Sequence, residues 1–396
     1  MSTYSLFILG CQQNRHDALV AARVLEGLGY TPGPENTADV IVTLACSVRQ
    51  HAVDRIHGKL NKWAAQTPKP KVIITGCVLP EDRRKLQDKV GAILEAEEIS
   101  EEILEPILGR CTEDLCTWGD SKAQASTERG VLERYSERGA EPATQEAAKY
   151  TGPVFIPVMI GCNYFCTYCA VPFTRGAERS RELSDIIAEA EAAIRAGAKE
   201  IQLLGQTVNS YGRDRRHPVP EQSSRPGISA TQRPADQHFP DFAALLTAVA
   251  ALPGDFMISF LSPYPTEFSD ESIKVIAENP KISKRVHLPV QSGDNEVLRR
   301  MNRRYTKEVY TEIAKRLLRQ IPGCTLTTDI VVGFPGETKN QFERTVGLCR
   351  EIPFAQVFLG KYSARSGTVA TRFFKDDVPR EEKERRWQVL NDMINK

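Results

Sequence analysis

The order in which apolar runs and cysteines follow one another constrains this chain more than any other feature. Over about the first 110 residues, short apolar runs alternate with helix-like segments, the pattern of a parallel sheet with helices on both faces. Strands are expected at 4–10, 39–45 and 71–76, with a weaker one at 91–95, and helices at 15–28, 50–65 and 81–89. Cys11, Cys46 and Cys77 each stand just past one of these strands. Ligands of open α/β sheets gather outside the carboxyl ends of the strands. If the three strands are neighbours, the three thiols converge at one edge, and a metal site is the expectation.

From Val154 a second series begins, with strands expected at 154–160, 200–204, 255–260, 285–288, 325–332 and 355–360 and amphipathic helices such as 184–196 and 306–319 between them. Six such units suggest an incomplete (βα)6 barrel, whose chemistry belongs at the carboxyl ends of its strands. Directly after the first of them comes Gly161-Cys162-Asn163-Tyr164-Phe165-Cys166-Thr167-Tyr168-Cys169. Three thiolates spaced C-x3-C-x2-C suit one corner of an iron–sulfur cubane. Three ligands for four irons leave one iron open to substrate. The alternatives are a zinc site or three buried thiols, but zinc sites pair such cysteines with a distant second pair, and none follows here.

The chain has 396 residues, 26% of them charged, with a formal net charge of +1. That balance exerts no global pull on nucleic acid, so any RNA contact rests on a local patch. The start lacks the basic and apolar regions of a signal peptide. No apolar run approaches the ~20 residues needed to span a bilayer. The expectation is a cytoplasmic, monomeric protein without membrane attachment, in which ten cysteines are metal ligands or buried thiols rather than disulfides. The expected organisation is an N-terminal domain over 1–117, a polar linker over 118–149, a barrel domain over 150–380 with a disordered insertion at 212–238, and a terminal helix over 381–396.

The C-x3-C-x2-C loop, with Tyr168 before its last cysteine, resembles the signature of radical S-adenosylmethionine (SAM) enzymes. The stretches Leu9-Gly10-Cys11-Gln12-Gln13-Asn14, Ala45-Cys46-Ser47-Val48-Arg49 and Thr75-Gly76-Cys77 resemble those of the methylthiotransferases within that superfamily. So do Arg175-Gly176-Ala177-Glu178-Arg179-Ser180-Arg181, His287-Leu288-Pro289-Val290-Gln291-Ser292-Gly293 and Asp329-Ile330-Val331-Val332-Gly333-Phe334-Pro335-Gly336-Glu337-Thr338. The run Leu203-Leu204-Gly205-Gln206-Thr207-Val208-Asn209-Ser210-Tyr211-Gly212 is most similar to the MiaB branch, which acts on tRNA.

The resemblance implies a flavodoxin- or Rossmann-like N-terminal domain followed by a radical SAM barrel, and two [4Fe-4S] clusters. One, auxiliary, would be held by Cys11, Cys46 and Cys77; the other, which cleaves SAM, by Cys162, Cys166 and Cys169. It further implies that a 5′-deoxyadenosyl radical removes hydrogen from C2 of N6-dimethylallyladenosine beside the anticodon, where a methylated sulfur from the auxiliary cluster is added. The implied partners are the tRNA anticodon loop, an electron donor such as flavodoxin or ferredoxin, and a sulfur source. Threonylcarbamoyladenosine in tRNA and an aspartate of a ribosomal protein stay open as alternative substrates, and a non-catalytic iron–sulfur carrier as an alternative class.

For SAM, the expected contacts are the backbone at Tyr168 with the adenine, Gln206 with the amino group, Arg181 with the carboxylate, and Gln291 and Ser292 with the ribose. A structural hydrogen bond at the barrel mouth is the competing role for each. Glu337 is expected to cap a helix, and Cys324 and Cys349 to be core thiols. Cys111 and Cys116, spaced x4, carry little weight alone. His16, His51 and His57 read as exposed or structural. The chain departs from the family pattern at Leu44-Ala45, where Asn-Thr is usual, so a hydrogen-bonding pair beside the auxiliary cluster is missing. Family members normally end in a small β-barrel (TRAM) domain that helps grip RNA, and the expectation is that this chain lacks it.

Overall fold

Every residue of the strand Val40–Cys46 is buried, the pattern of a strand covered on both faces. Its alternate residues Val40, Val42 and Leu44 enter one apolar cluster, and Ile41 and Ala45 enter another. In the computed structural model this is the central strand, β3, of the first of two units, residues 1–151 and 152–396. The structure describes residues 2–46, 50–109, 152–216 and 239–395, apart from the side chains of Gln50 and His51. The expected linker at 118–149, Cys111, Cys116 and the part of the expected insertion beyond Arg216 lie outside the described residues.

The first unit runs β1 (Thr3–Ile8), α1 (Gln12–Gly27), β2 (Thr31–Pro32), β3, α2 (Gln50–Ala64), β4 (Lys71–Cys77), α3 (Pro80–Leu86), β5 (Ala92–Ile93) and α4 (Glu101–Leu108). All strand pairings are parallel, in the order β2-β1-β3-β4-β5. That 2-1-3-4-5 order is flavodoxin-like. Ala18, Ala21, Ala22 and Leu25 of α1 cover one face with Leu104 of α4, an i, i+3, i+4, i+7 stripe. Ile56, Leu60 and Trp63 of α2 cover the other. The short edge strand β2 was not expected from the apolar pattern, because Thr31 and Pro32 are both exposed.

The second unit opens with β6 (Val154–Pro157) and β7 (Met159–Ile160), followed by α5 (Val171–Thr174), β8 (Arg179–Ser180) and α6 (Leu183–Arg195). Then come β9 (Glu200–Leu204), α7 (Arg213–Arg216), α8 (Phe242–Ala250), β10 (Met257–Phe260) and α9 (Asp270–Glu278). After these follow β11 (Arg285–His287), α10 (Asn295–Arg300), α11 (Lys307–Gln320), β12 (Thr325–Val332) and α12 (Lys339–Glu351). The last elements are β13 (Phe354–Lys361), α13 (Val369–Phe373) and α14 (Arg380–Ile394).

Strands β6, β9 and β10 form one parallel sheet and β11, β12 and β13 another. A parallel bridge between Ile258 and Ile282 joins them. Six parallel strands thus follow one another in chain order, the expected (βα)6 half-closed barrel. Ile201, Leu203, Ile258, Phe260, Leu326, Ile330 and Val332 share one core with the helical residues Ile186, Leu246, Ile273, Leu317 and Phe342.

Three expectations need correction. The run at 154–160 is two strands, because after Pro157 the chain leaves the barrel sheet and β7 pairs antiparallel with β8. Residues 212–216 are ordered rather than part of an insertion. There the Asp214 carboxylate accepts from the Ser180 N–H at 3.0 Å and from its hydroxyl, and Arg215 donates to the Ser180 carbonyl. Glu337 is not a helix cap. Thr338 caps α12 in a box with Gln341, while the buried Glu337 carboxylate accepts from the Gly333 N–H and from Arg386 of α14 at 2.7 Å. That pair and Trp387, whose indole donates to the Leu359 carbonyl, fasten α14 to the barrel.

Candidate metal centres and cofactor pocket

In the first unit the doubly-wound order reverses between β1 and β3, the place where such sheets bind ligands. Cys11 lies there as the N-cap residue of α1, at the positive end of a 16-residue helix. Cys46 and Cys77 end β3 and β4 and are direct register partners. They sit inside the last strand residue rather than one past it. Gly10 brings the first loop against the second: a Cβ on it would lie 2.8 Å from the Cβ and 3.2 Å from the sulfur of Cys46, and its φ of +110° suits glycine. Asn14, fully buried, donates its amide to the carbonyls of Leu9 at 2.6 Å and Ala45 at 2.8 Å. It braces the turns that carry Cys11 and Cys46. Leu44 and Ala45, in the place of the usual Asn-Thr, are buried apolar residues.

In the second unit the loop 161–178 is pinched at its base, where the Cys162 N–H donates to the Gly176 carbonyl at 3.1 Å. Only glycine suits position 161, with φ +81° and a Cβ that would stand 1.9 Å from the Ala177 carbonyl oxygen. The loop thiols receive N–H donors: Cys162 from the Tyr164 backbone, Cys166 from the Arg303 guanidinium at 3.4 Å, and Cys169 from the Val171 backbone at 3.4 Å. Donors aimed at sulfur favour thiolates and tune iron–sulfur centres. Burial nonetheless pushes the Cys162 thiol up to about 12, helped by Glu178 and the other two thiols. Among the described residues no group of His, Cys, Asp and Glu closes on one point as a single metal ion would ask. A cubane asks instead for one sulfur at each of three separate irons, and this loop carries three thiols, Cys162, Cys166 and Cys169.

The four non-glycine residues with positive φ among the described residues are Phe165, Ser262, Gln291 and Asn302. They lie in the cysteine loop, after β10, after β11 and after α10, all in this unit. Strain of that kind collects at functional sites. Glu178 is buried beside Cys162, accepting from Thr207 at 2.7 Å, and burial raises its carboxyl above the usual range.

The expected SAM contacts divide. Gln206 follows β9, and its side-chain oxygen is buried without a hydrogen-bond partner among the described residues, as an atom awaiting a donor would be. Gln291 continues the sheet through its backbone, bonded to Asp329 and Val331. Tyr168 packs between two apolar clusters, leaving its backbone as the available part. Arg181 is turned into the fold, 1% exposed, with its guanidinium on the Pro157 carbonyl at 2.6 Å and Glu189 at 2.8 Å. Ser292 is fully buried and bonds to Asp294 at the start of α10 and to Thr345 of α12. Cys349 and Cys324 are core thiols raised by burial, to about 12 and about 11. His16 is buried beside Asp17.

Sequence reading missed the segment after α10. Thr167 bonds to the carbonyls of Arg300 and Met301, the Asn302 amide donates to those of Tyr164 and Phe165, and Arg303 reaches Cys166. Met301-Asn302-Arg303 lies over 130 residues from the loop it clamps, and no spacing rule marks it.

Six parallel βα units with a three-thiol loop after the first define a radical SAM barrel, and residues 156–349 match the Radical SAM superfamily. Residues 3–94 match an uncharacterized protein family, UPF0004. The fold of nearly the whole chain is shared with a radical SAM methyltransferase, TsrM, from Kitasatospora setae, solved with cobalamin and a [4Fe-4S] cluster. The TM-score is 0.58 at 14% identity, over 94% of this chain and 77% of that one. Two proteins named tRNA-2-methylthio-N(6)-dimethylallyladenosine synthase are far more similar in sequence. That of Thermotoga petrophila is 36% identical over 96% of this chain and 79% of its own length. That of Sorangium cellulosum is 38% identical over 96% and 75%. The chain belongs to this family of radical SAM methylthiotransferases.

Proposed function

We propose that the protein adds a methylthio group to C2 of N6-dimethylallyladenosine in tRNA. Supporting this reading is the gathering of each cysteine triad at the carboxyl ends of strands within its own unit, together with the family relationship. Cys162, Cys166 and Cys169 would hold one [4Fe-4S] cluster, and Cys11, Cys46 and Cys77 the other. When bound, these clusters and SAM supply the radical and the sulfur.

The chain's own part is positioning. Asn14 and Gly10 hold two of the N-terminal thiols together. Gly161 and Met301-Asn302-Arg303 fix the cysteine loop. Gln206 offers to the ammonium of SAM an oxygen that has no partner among the described residues. Glu178, its carboxyl raised by burial, stands beside Cys162 as a second polar contact. The electron would come from a flavodoxin- or ferredoxin-like donor in the cytoplasm, and the sulfur from a separate source.

Nucleoside mass spectrometry of tRNA tests the reading. A strain lacking the gene should accumulate the dimethylallyl nucleoside, and the plasmid-borne gene should restore its 2-methylthio form. Accumulation of unmodified threonylcarbamoyladenosine instead would favour the alternative tRNA substrate, and unchanged 2-methylthio levels would overturn both.

A further inference from the structure

A single guanidinium ties the barrel's far wall to the cluster loop. Arg303 donates to the Cys166 sulfur at 3.4 Å, to the Pro289 carbonyl at 3.0 Å and, through Nε, to the Tyr305 hydroxyl at 2.8 Å. Its plane also lies over two rings, 4.6 Å from the centroid of Tyr264 and 5.0 Å from that of Tyr305. Four contacts besides the sulfur hold the side chain in one orientation, so its position does not depend on the thiol. The neighbouring residues serve the loop's backbone: Asn302 and the Arg300 and Met301 carbonyls bond to Tyr164, Phe165 and Thr167. Arg303 alone of this segment reaches a sulfur.

We infer that Arg303 is a positioning residue that sets the reduction potential of the cluster on Cys162, Cys166 and Cys169, an inference that rests on the proposed reading of those thiols. The physical reason is charge. Reduction adds one electron to the cluster and makes the cluster with its thiolates more negative. A fixed cation hydrogen-bonded to one ligand sulfur in a water-poor setting favours that reduced form. Cys162 receives a neutral backbone N–H, whereas the Cys166 corner carries a charged donor. Lys would keep the charge but not the planar fork that reaches a sulfur, a carbonyl and a hydroxyl at once.

The test uses the full chain with Cys11, Cys46 and Cys77 changed to alanine, so that one cluster remains, reconstituted anaerobically and reduced stepwise with dithionite. Iron per chain and the midpoint potential by electron paramagnetic resonance are read together. Arg303→Gln should retain about four irons. Its midpoint should become more negative by about 59 mV, a tenfold drop in the reduced-to-oxidised ratio at a fixed potential. Arg303→Lys should fall by less. An unchanged midpoint in a fully loaded Arg303→Gln protein would overturn the inference. So would loss of iron with the remaining clusters at the original potential, which marks a packing role alone. A background protein that takes up no iron overturns the cluster assignment itself, and this inference with it.

Discussion

Cys46 and Cys77 face each other as the last paired residues of β3 and β4. Adjacent strands lie about 4.8 Å apart, so the sheet itself sets the separation of these two sulfur-bearing residues. Cys11 joins them from the loop after β1, the strand on the other side of β3. The site is therefore built by strand order, and each thiol is separately removable without unpicking the sheet.

Substituting Cys77 with alanine should cut bound iron from about eight to about four per chain, since a cubane with two protein thiolates is not retained. Because the loop thiols belong to the other unit, production of 5′-deoxyadenosine from SAM should persist while the methylthio product disappears. Iron analysis and chromatography of the nucleosides check both. Loss of deoxyadenosine as well would show that the two triads are not functionally separate.

Gly161→Ala should have the opposite pattern. The left-handed backbone costs about 1–2 kcal/mol for a residue with a Cβ, and that Cβ would overlap the Ala177 carbonyl, so the base of the cysteine loop must open. Iron should again fall to about four per chain, but now SAM cleavage is lost and the cluster of the first unit remains. A variant that keeps SAM cleavage would show that the pinched base is dispensable.

Gln206→Leu is expected to weaken SAM binding without weakening the fold. Its side-chain oxygen has no partner among the described residues, so removing it breaks no internal hydrogen bond. Losing one hydrogen bond to a cationic group costs about 1.5–3 kcal/mol, which is roughly a ten- to hundredfold rise in Kd. Equilibrium dialysis with labelled SAM and a thermal melt on the same samples separate the two effects. A lowered melting temperature with unchanged affinity would return Gln206 to a structural role.

The buried Glu337–Arg386 pair predicts a pH effect. Burial raises the Glu337 carboxyl, against the hydrogen bonds from Gly333 and Arg386 and the charges of Arg386 and Arg300, which lower it. Arg386→Met removes the largest opposing cation, so the folded-state value climbs further above the unfolded one of about 4.3. A carboxyl raised on folding contributes stability below its unfolded value and loses it as pH rises through its folded value. The variant should thus be hurt little in acid and by about 3–5 kcal/mol near neutrality. Urea midpoints across that range measure it; a loss independent of pH would mean packing alone is at stake.

Much of this was readable from the chain because apolar alternation and thiol placement are local signals. Strand β3 shows itself as an unbroken apolar run ending at Cys46, and C-x3-C-x2-C is contiguous. What escaped depends on contacts between distant segments. Arg181 reads as a cation at a barrel mouth, but its direction is set by Pro157 and Glu189 behind it. Arg303 carries no spacing signal, and only the turn after α10 brings it onto Cys166. Glu337 reads as a helix cap because the cap beside it, Thr338, follows by one residue, and its real partner lies 49 residues on.

The barrel's inner face suggests where the substrate base is held. On β12, Leu326, Ile330 and Val332 pack into the core shared with the helices and Thr328 accepts from the Tyr310 hydroxyl of α11, so their alternates Thr327 and Asp329 share the opposite face. His287 of β11 is on that face, bonded to Thr327 at 3.0 Å and Asp329 at 3.3 Å. Phe358 of β13, the register partner of Asp329, stands at its edge. Its ring meets His287 edge-on at 5.7 Å and is 47% exposed, an aromatic surface left open beside polar groups. Stacking of a base on such a ring is worth about 1–3 kcal/mol. Phe358→Ala should therefore raise the apparent KM for tRNA about fivefold or more, with SAM cleavage in the absence of RNA unaltered. Being half-exposed, the side chain should cost the fold only about 0.5 kcal/mol. Phe358→Tyr, which keeps the ring, should restore the KM. Steady-state kinetics with an anticodon stem-loop RNA decide the matter, and an unchanged KM in the alanine variant would move the base-binding surface away from β13.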